Sequence, residues 1–381
     1  MKKLLSKTLI SAVVCAFFAA ACSKGSGSSN ASPTAPTIST ANPTNGPDST
    51  VVTIVGTGFS ATAADDNVSF NGKQAVLISA STTQIQAMVP TLAGTGPLTV
   101  TVNGKTVTAE TFTYDTSWSV TPISHNLNAP YSLSIDAGGS LYLGCYTGYI
   151  TKISPQGVSS VFAYVGANMG SVMDAAGNLY VSALTSSDSS SILKIDPAGN
   201  ISVFAMDSGR LYGLALDAGS GNLYAANDSR STVEKVTPQG VVSIFASNLN
   251  DPSGITVTND GTVYVNNYSS TGYNSASGVI TKITSAGTVT TLVAIGKYDA
   301  YSGMTNDGTN LYLTVFDQAS AVSSIVKITP SGTVSTLITG NGVSDPDAIA
   351  RDNKGDLYVS NFLDTIAGGA TTGSIVKLTA R

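Results

Sequence analysis

Six copies of one pattern fill the C-terminal two-thirds of this 381-residue chain, and a repeat of that kind constrains the fold more than any other feature. Its marker is a turn followed by Leu-Tyr-Val or a close variant. The tyrosines fall at Tyr142, Tyr180, Tyr224, Tyr264, Tyr312 and Tyr358, with spacings of 38, 44, 40, 48 and 46 residues. Each copy is preceded by an acidic or amide turn with glycine, as in Asp174-Ala175-Ala176-Gly177-Asn178. Each is followed by a strand around a lysine: Lys152, Lys194, Lys235, Lys282, Lys327 and Lys377. Five copies continue through a turn such as Asp196-Pro197-Ala198-Gly199 into another apolar stretch such as residues 201–205. With the short apolar run before each acidic turn, as in Gly213-Leu214-Ala215-Leu216, a unit holds four strands in about 40 residues, which is a β-propeller blade. The sixth unit ends at Arg381 without its last strand. Residues 117–123 have the length and apolar spacing to supply it, so the ring should close by pairing the start of the domain with its end, hiding edges that an open array would expose.

Residues 36–115, ahead of the repeat, alternate apolar runs with Gly and Pro breaks, the pattern of an antiparallel sandwich of short strands. Only 11% of residues are charged, against roughly 25% in an average domain, which suits short strands joined by tight turns. The expected fold class is therefore all-β: a small immunoglobulin-like β-sandwich followed by a six-bladed β-propeller, residues 116–381, with N-terminal strand closure.

Two resemblances sharpen this. Pro43-Thr44-Asn45-Gly46, Ile54-Val55-Gly56-Thr57-Gly58-Phe59, Val68-Ser69-Phe70-Asn71-Gly72 and Met88-Val89-Pro90 resemble the IPT/TIG family of immunoglobulin-like domains. Gly56 and Gly58 would let Phe59 bend into the core, and Asn71-Gly72 signals a tight turn. The repeats resemble NHL-type and SMP-30 gluconolactonase-like units, whose recurring core is Asp-x-x-Gly-Asn-Leu-Tyr-Val. That resemblance implies a propeller but no one activity, because such rings serve as binding platforms, hydrolases and lyases.

Residues 1–21 read as a secretory signal: Lys2, Lys3 and Lys7 precede an apolar run too short to span a bilayer. Their removal takes the net charge from −5 to −8. Ala19-Ala20-Ala21-Cys22 resembles a bacterial lipobox, which implies that Cys22 is acylated. The same alanines also satisfy ordinary signal cleavage, but the Ser/Gly-rich tether to residue 35 and the position of Cys22 favour the lipoprotein. Ser23 after the cysteine points to the outer membrane or cell surface. The only other cysteine outside the signal, Cys145, has no partner for a disulfide and reads as a small buried hydrophobe. The acidic balance and the lack of a Lys/Arg cluster exclude nucleic acid as a partner.

In a propeller, two rings of positions can meet a ligand at the central channel. At the start of the innermost strands these are Tyr131, Met169, Tyr212, Ser253, Ser302 and Asp347, and just after the Leu-Tyr-Val strands they are Cys145, Ala183, Asn227, Asn267, Val315 and Asn361. From these, Asp347, Asn227, Asn267, Asn361, Tyr131 and Tyr212 are the candidate ligand-binding residues. The gluconolactonase-like resemblance implies a calcium ion in such a channel, with Asp347 and the three asparagines offering oxygens. Amides also cap turns, and that structural role is the preferred reading. No catalytic residues can be assigned: His125 is the only histidine, and no Gly-x-Ser-x-Gly elbow occurs. The periodic lysines read as a snorkelling face and the marker tyrosines as packing. Tyr146, Tyr149, Tyr268, Tyr273, Tyr298 and Tyr301 are expected in or beside loops, and long loops are expected at 266–277, 314–324 and 360–373. The sequence thus points to a non-enzymatic module that binds a protein or carbohydrate at the cell envelope, without a cofactor. The alternative is a calcium-dependent lactonase-like hydrolase.

Overall fold

The computed structural model describes residues 35–380 apart from 91–92, 116–117, 146, 208, 268–277, 297, 318–319 and 366–370, and, for 298–302, 363–365 and 371, the backbone alone. The signal, Cys22 and the tether lie outside the described residues, as do Tyr146, Tyr268 and Tyr273.

The first unit is a two-sheet sandwich. Thr37–Asn42, Val51–Thr57, Gln84–Met88 and Val76–Ala80 make one sheet, and Asn45–Gly46, Lys105–Tyr114, Gly96–Val102, Asp66–Phe70 and Lys73–Gln74 the other, in those spatial orders. Alternation along each strand sends Val52, Ile54, Val68, Phe70, Ile85, Leu98, Val100 and Phe112 into one core, where Phe70 and Phe112 meet edge to face at 4.9 Å. Gly56 has the role that the sequence suggested: a Cβ there would lie 1.9 Å from the Thr37 carbonyl oxygen and 2.6 Å from the Phe59 ring. Asn71 and Gly72 both take positive φ and turn Phe70 back onto Lys73.

The second unit is six four-stranded antiparallel sheets. Blades 1 to 5 are built in chain order from the innermost strand outward. Their innermost strands are Pro130–Ile135, Asn168–Met173, Leu211–Leu216, Pro252–Val257 and Tyr298–Asn306. Blade 6 has Pro346–Arg351, Leu357–Thr365 and Thr371–Ala380, and takes Trp118–Leu127 as its outermost strand. The pairing runs from Trp118↔Ala380 to Leu127↔Gly373. The closure is thus longer than the expected 117–123 and includes exposed His125.

The marker tyrosine and the lysine turn out to be one device. In all six blades they are directly opposed across the second and third strands: Tyr142↔Lys152, Tyr180↔Lys194, Tyr224↔Lys235, Tyr264↔Lys282, Tyr312↔Lys327 and Tyr358↔Lys377. The ammonium groups of Lys152, Lys194 and Lys377 lie 4.9, 5.7 and 5.5 Å from the centres of their tyrosine rings. In blades 1 and 2 the far side of the tyrosine meets Phe162 or Phe204 of the outermost strand edge to face, both at 5.0 Å. The tyrosine hydroxyl donates back to the turn aspartate, as from Tyr312 to Asp307 at 2.8 Å. That aspartate also accepts from turn N–H groups, such as Ala176 and Asn178 onto Asp174 at 2.9 and 2.8 Å. Burial alone would raise the Asp307 carboxyl, but bonds from Asn310 and the Tyr312 hydroxyl hold it below its ordinary value. The consensus Asp-x-x-Gly-Asn-Leu-Tyr is therefore a turn and its anchor, with glycine at positive φ where the chain reverses, as at Gly177.

Two sequence expectations need correction. The connections at 314–324 and 360–373 are largely extended hairpins rather than loops, with strands paired out to Asp317↔Val322 and Thr365↔Thr371, because their Val, Ser and Thr residues continue the ladder. Tyr298 and Tyr301 lie within the innermost strand of blade 5, not in a loop.

If the tyrosine carries the packing and the lysine only covers it, Tyr180→Ala should lower unfolding free energy by about 3 kcal/mol. Lys194→Ala should cost less than about 1 kcal/mol. Equilibrium urea unfolding of the two variants measures the contrast, and equal losses would contradict it.

Candidate functional site

The geometry of the channel follows from how closely the innermost strands approach one another. A Cβ on Gly170 would lie 2.0 Å from the Tyr212 carbonyl oxygen, one on Gly213 2.5 Å from that of Ser253, and one on Gly303 2.7 Å from that of Asp347. Glycine is required at these positions because a neighbouring blade's backbone occupies the space of a side chain. Hydroxyls on the second strands tie the same junctions together. Ser182 Oγ accepts from Gly170 N at 2.9 Å and donates to the Tyr212 carbonyl at 3.0 Å, while Ser360 Oγ accepts from Ala348 N at 3.0 Å and donates to the Pro130 carbonyl at 3.4 Å. In blade 1 the equivalent second-strand residue is Gly144, and the side chains of Ser132 and Asn168 fill its place.

At this level every innermost strand slips register against the second strand: between Pro130 and Ser132, Asn168 and Gly170, Leu211 and Leu214, Pro252 and Ile255, Ala300 and Met304, and Pro346 and Ala348. Tyr131, Met169, Tyr212, Ser253, Ser302 and Asp347 all fall inside those slips. The ring singled out from the sequence is therefore a ring of bulged backbone positions, of which Tyr131 and Met169 line the narrow part of the channel.

Blades 1 and 6 give the mouth its most distinctive chemistry. Tyr131 lines the narrow part of the channel and meets Phe362 edge to face at 5.4 Å. Asp347 begins the adjacent innermost strand. Burial, reinforced by the nearby Asp345 carboxylate, pushes its carboxyl up to about 8. Burial also raises Asp345, which sits at positive φ and whose N–H donates to Ser323 Oγ at 2.9 Å. Across blade 3, Tyr212 lies beneath the Arg210 guanidinium, whose centre is 5.6 Å from the ring. Arg210 Nε in turn donates to both carboxylate oxygens of Asp228, at 2.9 and 3.0 Å, which keeps the guanidinium firmly charged. Sequence reasoning missed Phe362, Asp345 and the Arg210–Asp228 pair. The last falls outside the repeat pattern, and the two residues are 18 apart, so nothing in the spacing announces it.

The second ring is placed differently. Asn227, Asn267 and Asn361 are at most 4% exposed, and their amides are engaged by other groups of the protein. Asn227 donates to Asp207 at 2.9 Å and accepts from Ser229 and Arg230. Asn267 donates to Thr281 and the Val279 carbonyl and accepts from Asn250 N. Asn361 donates to the Gly342 carbonyl and Ser374 and accepts from Ser344 N. Asn267 and Asn361 fasten the incoming loop to the third strand, and Asn227 ties its strand end to Asp207 of the preceding blade, while the channel is lined by innermost strands alone. The amide oxygens are thus already taken by protein donors, so this donor set does not fit a calcium ion. Among the described residues, no three His, Cys, Asp or Glu side chains are grouped to hold a metal. Cys145 is buried, which pushes its thiol up and leaves it unreactive.

Asp347 makes the stability pH-dependent. Its native carboxyl titrates above the unfolded value of about 3.9, so the folded state holds a proton that the unfolded state releases. Stability should fall as pH rises from about 4 to 8, and Asp347→Asn should abolish that component. Melting curves between pH 4 and 9 are expected to show the variant at least about 3 °C more stable at pH 8 and indistinguishable at pH 4. Parallel curves for the two proteins would refute the assignment.

Residues 36–114 match the family described as IPT/TIG domain. No curated protein matches the chain. Among solved structures, a protein of unknown function from Bacteroides thetaiotaomicron aligns at 16% identity over 91% of this chain and 98% of its own, with a TM-score of 0.55. An auxiliary nutrient binding protein from Bacteroides ovatus aligns at 15% identity over 91% and 98%, with a TM-score of 0.52. The PQQ-bound aldose sugar dehydrogenase of Streptomyces coelicolor aligns at 13% identity over 70% and 99%, with a TM-score of 0.54. At these identities the likeness is one of fold, and the chain is an IPT/TIG immunoglobulin-like domain followed by a six-bladed β-propeller.

Proposed function

We propose that this chain is an exported cell-envelope lipoprotein, anchored through Cys22, probing its surroundings with the mouth of its propeller as a non-enzymatic module for a protein or glycan. The observation that carries the reading is the mouth itself. Its bulged positions include two tyrosines and a carboxylate, Tyr131, Tyr212 and Asp347, over a hydrogen-bonded ring. Tyr131 and Phe362 supply flat apolar faces, while Asp345 and Asp347 on blade 6 and Arg210 with Asp228 on blade 3 supply polar groups. That combination suits sugar rings and peptide side chains. The Bacteroides structure named for nutrient binding, which shares the fold over nearly its whole length, supports the same class of role. An extracytoplasmic location rests on residues 1–22, read from the sequence.

One observation favours the alternative, a lactonase-like hydrolase. A carboxyl titrating near neutrality suits general acid–base work, and Asp347 is such a group. Calcium titration by calorimetry separates the readings: micromolar binding that is lost in Asp347→Ala would favour the hydrolase.

For the binding module, Tyr131→Ala and Asp347→Ala should each weaken retention on a glycan array or on fractionated envelope proteins at least tenfold. Tyr149→Ala, on the perimeter of blade 1, should leave it unchanged. Ligands held equally well by all three variants would rule out the mouth. In cells, palmitate label is expected on the wild-type chain and absent from Cys22→Ser.

A further inference from the structure

The channel is divided by an apolar collar. Leu133, Leu214, Ile255, Met304 and Ile349, each at most 8% exposed, stand on five of the six innermost strands at one level, with Ser171 on the remaining one. On the mouth side of this collar the channel is a neck of about 50 Å³. On the other side, where the innermost strands run into the aspartate turns, it widens into a chamber of about 250 Å³. At roughly 30 Å³ per water, the chamber has room for about eight waters, or for one molecule of monosaccharide size.

The walls of the chamber are unequal. At the last position of the innermost strands, blades 1 to 4 present Ile135, Met173, Leu216 and Val257, whereas blades 5 and 6 present Asn306 and Arg351. Hydroxyls of Ser134, Ser171, Thr256 and Thr305 lie between. The Asn306 amide donates to Thr256 Oγ1 at 2.6 Å, which leaves that hydroxyl's proton free to donate onward. Arg351 is the only charged side chain in the lining and forms no hydrogen bond or ion pair with any described residue. Asp307 and Asp352 accept from the N–H groups of their own turns and from Tyr312 and Tyr358. A permanently charged guanidinium at one corner, hydroxyls along the walls and an apolar surface facing them match a compact ligand with one carboxylate, several hydroxyls and a carbon face.

We propose that this chamber binds a hydroxylated carboxylate of monosaccharide size, a uronate, with its carboxylate on Arg351 and its hydroxyls on Ser171, Thr256 and Thr305. The site lies beyond the collar from the mouth and does not depend on what the mouth binds.

Calorimetry on the purified chain, with glucuronate as probe and glucose and acetate for comparison, tests this. Glucuronate should bind saturably, at least tenfold tighter than either comparison compound. Arg351→Gln should weaken it at least tenfold with an unchanged melting temperature, and Thr305→Val, which keeps the shape of the side chain, should weaken it to a smaller degree. Tyr131→Ala should bind glucuronate like the wild type, which separates this site from the mouth. No saturable glucuronate binding, acetate binding as tightly, or an Arg351→Gln variant that binds normally would each overturn the proposal.

Discussion

The propeller depends on the approach of six backbones to one axis. Where Gly170 faces Tyr212 and Gly213 faces Ser253, the space that a side chain would need is filled by a carbonyl of the next blade. A methyl group there would force neighbouring blades apart, and in a closed ring a displacement at one junction must be absorbed at the others. Close approach also explains the serines behind the glycines: once backbones are this near, polar groups lose access to water and must be satisfied from within, as Ser182 and Ser360 do. The bulges belong to the same constraint. They lie beside the contact level, one in each blade.

Around this ring the blades are held by a repeated module whose parts are individually weak. A turn carboxylate collects N–H groups, a tyrosine returns its hydroxyl to that carboxylate, and a lysine lies across the ring from the opposite strand. Regularity comes from geometry rather than from strong bonds. The substitution of Thr258 for aspartate in blade 4 is accordingly accommodated: its hydroxyl donates to Asp260, which in turn accepts from Thr262 N.

Much of this was legible in the sequence because it is periodic. Tyrosine, lysine and turn recur, so their spacing announced blades, and the missing last strand announced the closure. The side chains at the mouth were also legible, as positions at the start of strands. What could not be read was direction. Asn227, Asn267 and Asn361 follow the Leu-Tyr-Val strand just as channel residues would, yet loop N–H groups and neighbouring protein groups hold them buried. The register slips that decide this leave no mark in composition. Arg210 with Asp228, and Tyr131 with Phe362, occur in single blades or between two blades, so no repeat could expose them. The hairpins at 314–324 and 360–373 read as loops because Ser, Gly and Thr are common to both states.

The closure has a mechanical side. The chain leaves the immunoglobulin-like sandwich at Tyr114 and, four residues later, becomes the outermost strand of blade 6, so the sandwich is joined by sequence to the one strand that completes the ring. Tension drawn along the chain from its N-terminal side would reach the pairing of Trp118 with Ala380 before any other contact in the propeller. The clasp that seals the ring is thus also the seam through which force enters it, and the ten-residue length of Trp118–Leu127 sets how much ladder must part before the circle opens.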